Sequence, residues 1–325
     1  MATPENLNLI TLSPYFSDGD KARELLESLR WPDGPVCPHC GNSEAYKLEA
    51  KPESKTAVRP GVYKCKKCRK QFTVTVGTIF EDSRIPLSKW LAAIYMMCAS
   101  KKGVSAHQLH RELGITYKSA WFMCHRIRLA MEDGPLASML SGIVEVDETY
   151  VGGKPRKENK PRDAEEGEPK KNKRGRGTDK TPVVAIVERE GKVKAQKVSN
   201  LTSASLKTVI RENVDQQSYI MTDGFTSYEG LADEYEGHGV VFHSLGEYAF
   251  NGIHINTAES WFALLKRGYV GTFHRMSDTH LNRYAAEFVF RWDNRKINDG
   301  ERTKRAIEGV KGKRLMYKNL IKTEK

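Results

Sequence analysis

The sequence predicts an α/β fold, a mixed sheet flanked by helices, preceded by two small N-terminal units. Three observations predict it. Two Cys-x-x-Cys pairs, Cys37/Cys40 and Cys65/Cys68, lie near the N-terminus. A short helical stretch, a glycine turn and a longer helical stretch follow them. From Gly142 the apolar residues take the period of strands, and helices return only between and after those strands.

The two cysteine pairs are separated by 24 residues, and turn or basic residues follow each: Gly41-Asn42 after the first, Arg69-Lys70 after the second. Four thiolates in two such knuckles hold a tetrahedral zinc ion and replace a core too small to fold unaided. The expectation is a zinc ribbon over residues 31–82, with one structural Zn²⁺ on Cys37, Cys40, Cys65 and Cys68 and with "QFTVTVGTIF" as its closing strand. His39 sits inside a knuckle that already supplies two sulfurs and is left out of the ligand set. Four sulfurs leave no open coordination position, so this zinc carries no chemistry. Cys98 and Cys124 stand singly in apolar helical sequence, as buried core residues do.

Residues 83–135 read as a helix-turn-helix. Leu87 to Ala99 is an apolar helix behind Pro86. Ser105, with Gln108 three positions on, opens a second helix through Leu113 as a capping box. "LGIT" makes the turn, and Thr116 caps a third helix to about Met131. That third helix is expected to offer Tyr117, Lys118, His125, Arg126 and Arg128 to DNA. A plain three-helix packing unit with a charged face is the other reading.

Residues 140–298 carry the sheet. "GIVEVDETYVGG", "TPVVAIVERE", "GKVKAQKVS", "SYIMTDGFTSY" and "GVVFH" are strands, and "SASLKTVIRENV" is a helix before the fourth. Helices from about Thr257 and Ser277 close the domain. Between the first two strands, residues 154–180 have no aliphatic side chain apart from Ala164. Such a segment cannot bury enough surface to offset its ordering entropy and reads as a flexible basic insertion, with "KKNKRGRG" either available for phosphate contact or simply a solvated linker. Residues 1–30 read as an N-terminal segment and 299–325 as a basic tail.

The 325 residues carry a formal net charge of +12, which on its own suits a polyanionic partner such as nucleic acid and a plain solvated basic surface equally. No run approaches the roughly 18 to 20 apolar residues of a membrane span, and the start lacks a basic then apolar secretory pattern. A cytoplasmic, nucleoid-associated protein that meets no membrane is expected.

Three carboxylates stand out. Asp147 ends the first strand, Asp223 ends the fourth at a glycine turn, and Glu259 lies on the helix 36 positions later. Any one is an ordinary turn or surface residue; the three can converge on one sheet edge. Bare converging carboxylates repel unless divalent cations neutralise them. Two Mg²⁺ (or Mn²⁺) ions about 3.5–4 Å apart suit phosphodiester displacement. Glu259 and Lys266 stand seven apart, about 10 Å along one helix face, too far to pair with each other. Glu259 would face metal, and Lys266, with Arg267 beside it, DNA phosphate. Glu145 and Glu148 rank below Asp147 as alternatives.

The ribbon, the helix-turn-helix, "VDETYVGG", "TDGFTSY" and "HINTAESWFALLKRGYVGTFH" resemble the bacterial insertion-sequence transposases related to the eukaryotic Merlin elements, over roughly residues 25–295. The resemblance implies a ribonuclease-H-like core with a DDE triad at Asp147, Asp223 and Glu259, and Lys266 as an accessory lysine. Relatives are also described with Asn as third ligand, and Asn256 lies one turn before Glu259. It implies cleavage at element ends and transfer of the freed 3′-hydroxyls into target DNA. The partners would be terminal inverted repeats and target DNA, with at least a dimer assembling on them. A DNA-binding regulator with a dead core, or a nuclease without strand transfer, stays open at this point.

Overall fold

The structure is a computed structural model and describes residues 8–49, 58–132, 138–153, 178, 180–242, 249 and 252–321. Two units emerge, Met1–Ala137 with Asn294–Lys325, and Ser138–Asp293. The basic insertion expected between the first two strands falls largely on residues 154–177, outside the described residues.

The first unit begins with α1 (Leu9–Ser17), capped by Asn8, and α2 (Gly19–Arg30), capped by Asp18. An antiparallel three-stranded sheet follows, β1 (Ala45–Lys47), β2 (Tyr63–Cys65) and β3 (Gln71–Phe72). The expected closing strand is thus only two residues long. Past it the chain turns, with Gly77 at φ 70°, because Val74, Ile79 and Phe80 bury in turns instead of alternating along a ladder.

Next come α3 (Leu87–Ala99), α4 (Ala106–Leu113) and α5 (Tyr117–Met131), whose bounds match the reading. The Ser105 side chain accepts from the Gln108 N–H, but the Gln108 amide turns to Glu112, so only half of the capping box forms. Gly114 ends α4 in the left-handed region at φ 56°, where other residues pay a steric cost.

The second unit is a five-stranded mixed sheet: β4 (Ile143–Val151), β5 (Thr181–Glu188), β6 (Val193–Lys197), β7 (Tyr219–Asp223) and β8 (Gly237–Val241). Their spatial order is β6-β5-β4-β7-β8, with β4, β5 and β6 antiparallel and β7 and β8 running parallel to β4. Strand period decides the faces. Val144, Val146, Val184 and Ile186 pack with Leu206 and Ile210 of α6 (Ser203–Asn213). Val151, Val183, Ala185 and Val187 pack with Trp261, Phe262 and Leu265 of α7 (Asn256–Gly268) and with Phe288 of α8 (Leu281–Asp293). Each fully buried side chain of this kind contributes roughly 1.5–3 kcal/mol. Alternation therefore places Glu145, Asp147 and Thr149 on the α7 face. A π-helical turn, Tyr269–Phe273, follows α7.

The chain then returns to the first unit. Where a basic tail was expected, residues from Asp299 form α9 (Asp299–Glu308) and α10 (Tyr317–Ile321). Thr303, Ala306 and Ile307 of α9 are buried, and Arg302 donates to the Cys98 carbonyl of α3 at 3.0 Å. A side chain at Gly309 would meet the Ala130 carbonyl oxygen at 2.3 Å, so only glycine lets α5 and the end of α9 approach this closely.

Candidate functional site

The sulfurs of Cys37, Cys40, Cys65 and Cys68 lie within 4.8 Å of one another, with Cys37–Cys68 and Cys40–Cys65 both 3.7 Å apart. Thiolates at about 2.3 Å from a tetrahedral zinc stand about 3.8 Å apart, so the cluster has the dimensions for that ion. The backbone N–H of Cys68, first among several donors, pulls the Cys65 thiol down to about 6, whereas Cys68, despite the Lys70 N–H, is raised to about 11 by burial and the neighbouring sulfurs, so the sulfurs share protons. His39 Nε2 faces the Gln71 carbonyl and stays out of the cluster. Cys98 and Cys124 are buried, each apart from this group.

On the second unit, Asp147 does not end its strand as expected: β4 stays paired with β5 through Val151, so Asp147 lies half-buried midway along it, while Asp223 is half-buried at the end of the parallel neighbour β7. Glu259 is exposed on the first turn of α7. The Asp147 carboxyl is pushed up to about 7, first by burial, then by the charge of Glu148, with Asp223 and Glu259 adding to it. The Glu148 N–H, donated to Asp147 Oδ1 at 2.8 Å, works in the other direction. Asp223 is oriented by the Phe225 N–H at 3.1 Å. The three carboxylates therefore share one electrostatic neighbourhood. Among the described residues, though, only the four cysteines form a tight group of three or more such donors.

The two alternative glutamates point elsewhere. Glu145 is fully buried and surrounded by donors: the N–H groups of Thr257 and Ala258, the Thr257 hydroxyl and Arg189 Nε. Glu148 lies on the α6 side of the sheet and accepts from the Tyr228 phenol at 2.7 Å. Asn256 is exposed, one turn before Glu259; Lys266 and Arg267 are exposed two turns beyond it.

The DNA-facing residues expected on α5 separate. Tyr117 and Lys118 are exposed, with Lys118 Nζ 4.5 Å from the Tyr317 ring centre. His125, Arg126 and Arg128 are 0, 4 and 2% exposed and cannot be presented to a duplex in this arrangement. Arg126 lies between the rings of Trp90 (5.4 Å) and Phe122 (5.2 Å) and donates to the Glu81 carbonyl; burial lowers its guanidinium to about 10, so it stays charged. The reading failed because α5 is packed on most of its circumference beyond its first turn. Two exposed side chains went unremarked, His107, stacked on Tyr117 at 4.2 Å, and Arg111 one turn along. Their signal was available: 107 and 111 are four apart on α4, opposite the buried Leu109.

With that geometry in view, the kinship of the chain is informative. Residues 139–293 match the ISXO2-like transposase domain, and residues 17–71 match the transposase zinc-ribbon domain. An uncharacterized protein of the transposable element ISH50 from Halobacterium salinarum is 29% identical over 287 residues, 85% of this chain and 91% of the relative. An uncharacterized transposase-like protein from Haemophilus influenzae is 32% identical over 100 residues, 31% of this chain and 80% of the relative. Among solved structures, the Mos1 strand transfer complex is similar at 14% identity and a TM-score of 0.28, covering 67% of this chain and 73% of that one. A simian T-cell lymphotropic virus intasome in complex with a PP2A regulatory subunit is similar at 15% identity and a TM-score of 0.27, covering 60% and 66%. Scores this low do not establish a shared fold. The two domains place the molecule among the transposases. The chain belongs to the ISXO2-like insertion-sequence transposases that carry an N-terminal zinc ribbon.

Proposed function

We propose that this transposase works by DDE chemistry on a ribonuclease-H-like core. The sheet order supports the core: three antiparallel strands with two more added parallel to the first, helices covering both faces. The observation that supports the chemistry is Asp147, a half-buried central-strand carboxyl raised to about 7 by burial first, then by Glu148, with Asp223 and Glu259 near enough to add to it. A donor set of oxygens alone, short of positive charge, fits Mg²⁺ or Mn²⁺. Asp147, Asp223 and Glu259 would hold the pair of ions. Divalent cations, when bound, would supply charge neutralisation for the attacking and departing oxygens. Lys266 and Arg267 would pair with phosphates of the scissile strand, fixing its register against the carboxylates.

Water would first displace the 3′-oxygen from a phosphodiester at each element end, leaving a 3′-hydroxyl. That hydroxyl would then attack a target phosphodiester, displacing the target's own 3′-oxygen. DNA would be gripped by the α4–α5 helix-turn-helix through its exposed end at His107, Arg111, Tyr117 and Lys118. The cysteine cluster would hold one structural zinc. Bringing two terminal inverted repeats to one target calls for at least two copies of the chain. The place of action would be the nucleoid in the cytoplasm, and no helix among the described residues is long and apolar enough to cross a membrane.

The test is strand transfer of labelled terminal-repeat DNA in Mg²⁺ or Mn²⁺. Asp147→Asn, Asp223→Asn and Glu259→Gln should each abolish cleavage and joining while end-binding persists, with double variants scarcely worse than singles. Lys266→Ala should give a partial defect that deepens with salt. An active Glu259→Gln beside a dead Asn256→Ala would move the third ligand to the asparagine. Full activity in all four carboxylate and asparagine variants would leave a DNA-binding regulator.

A further inference from the structure

α7 has no local cap. The helices α2, α4, α5, α6 and α9 each take a side-chain cap from the residue just before them, whereas Ile255 ahead of α7 has none to give. Its first N–H groups are satisfied from 112 residues away. Glu145 Oε2 accepts from the N–H of Thr257 at 2.7 Å and of Ala258 at 3.1 Å, and Oε1 accepts from the Thr257 hydroxyl at 2.8 Å. A buried carboxylate at a helix N-terminus meets both the unpaired N–H groups and the positive end of the helix dipole.

Its charge is matched by Arg189, whose Nε donates to Glu145 Oε1 at 3.0 Å. The same guanidinium donates to the carbonyls of Gly252 (3.1 Å) and His254 (3.2 Å), ahead of α7, and to Met221 Sδ of β7 at 3.0 Å. His254 Nδ1 closes the group, 3.2 Å from Arg189 Nη2 and 3.3 Å from Glu145 Oε1. This one pair touches the three elements that carry the acidic residues, each close to the residue in question. Glu145 precedes Asp147 by two on β4, Met221 precedes Asp223 by two on β7, and Ala258 directly precedes Glu259 on α7.

We infer that Glu145 and Arg189 are positioning residues: they pin the start of α7 and the end of β7 against β4 and so set the spacing of Asp147, Asp223 and Glu259 for divalent metal. The inference rests on the proposed carboxylate site. Neither residue touches metal or DNA in this scheme, since Glu145 is wholly occupied and buried. A carboxylate is needed because two backbone N–H groups, a hydroxyl and an arginine converge on it; the amide of glutamine would bring a donor to face donors.

The experiment titrates Mn²⁺ into the full-length, zinc-loaded protein, following the electron paramagnetic resonance signal of the free ion well below the melting temperature, which is recorded alongside. Asp147→Asn and Glu259→Gln serve as references and should lose the Mn²⁺ site. Glu145→Gln should bind Mn²⁺ about tenfold more weakly, and Thr257→Val, which removes one hydrogen bond and no charge, should show a smaller loss in the same direction. A merely structural role would lower the melting temperature and leave Mn²⁺ affinity unchanged, which overturns the inference. Should Glu145→Gln not fold, Thr257→Val decides by the same criterion. If the two reference variants bind Mn²⁺ as the parent does, the carboxylate site itself is wrong, and the positioning role falls with it.

Discussion

The phenol of Tyr228 donates to the Glu148 carboxylate at 2.7 Å, joining the strand that carries Asp147 to the turn that follows Asp223. Tyr228 is 1% exposed, and burial followed by the Glu148 charge holds its phenol well above the usual tyrosine range, so it remains a donor at all working pH values. Hydrogen bonds to charged groups contribute roughly 1.5–3 kcal/mol. A double-mutant cycle of Tyr228→Phe and Glu148→Gln in urea unfolding should give a coupling energy of about 1–2 kcal/mol. Additive effects would mean the two groups do not act as a pair.

Arg126 and Arg111 should behave as opposites although both are basic helix residues. Arg126→Ala empties the space between Trp90 and Phe122 and should cost about 2 kcal/mol of stability, read as a melting temperature several degrees lower. Arg111→Ala should leave melting unchanged and Lys118→Ala, which loses a contact with the Tyr317 ring worth about 0.5–1 kcal/mol, should lower it only slightly; both should weaken DNA binding and lower its salt dependence, since each removes an exposed cation. A stable Arg126→Ala with impaired DNA binding would restore it to the DNA face.

Zinc content should separate the cysteines by position. The parent should carry about one zinc per chain. Cys37→Ser or Cys68→Ser should lose it along with the fold of the ribbon, while Cys98→Ser and Cys124→Ser should keep it, because their sulfurs lie outside the cluster. Elemental analysis of freshly isolated, unchelated protein gives the answer.

Acid should destabilise the protein through His238. Burial, then the charge of Lys207, lowers this histidine below its ordinary value of 6.5, and its Nε2 lies 2.8 Å from Thr222 Oγ1. The unfolded chain therefore takes up a proton at a higher pH than the folded one. The stability this histidine contributes is present above 6.5 and is lost as pH falls through its depressed folded value. His238→Gln should remove that component, so melting temperatures of parent and variant should differ in slope below pH 6.5 and run parallel above it. Equal slopes throughout would show that His238 titrates normally.

What was legible in the residues was what is decided locally. Thiol spacing, the left-handed glycine at Gly114 and the cap at Thr116 each depend on a few neighbours, and the ribbon cluster and the α4–α5 turn follow from them. The strand ending at Asp223 showed through its glycine turn, but Asp147, expected to end the first strand, lies midway along β4, because the paired run continues through Val151 against β5. The misses are tertiary. A mid-helix arginine looks the same in sequence whether it meets solvent or is flanked by Trp90 and Phe122. Glu145 passed as a weaker copy of Asp147 because its partners, Thr257, Ala258 and Arg189, lie far along the chain. Residues from Asp299 on looked like a tail because their basic composition hides the few inward positions, Thr303, Ala306 and Ile307.

That last stretch has a bearing on how the molecule comes into being. Since α9 packs on α3 and Arg302 reaches the Cys98 carbonyl, the N-terminal unit waits for residues that leave the ribosome after the entire sheet unit. At about 5–20 residues per second, the interval between Met131 and Ile321 lasts on the order of ten seconds or more. During it the sheet unit can fold, while α2, α3 and α5 still expose the surface that α9 will cover. A product that stops before Asp299 therefore carries every strand of the sheet unit but lacks the helix that covers α3 in the other.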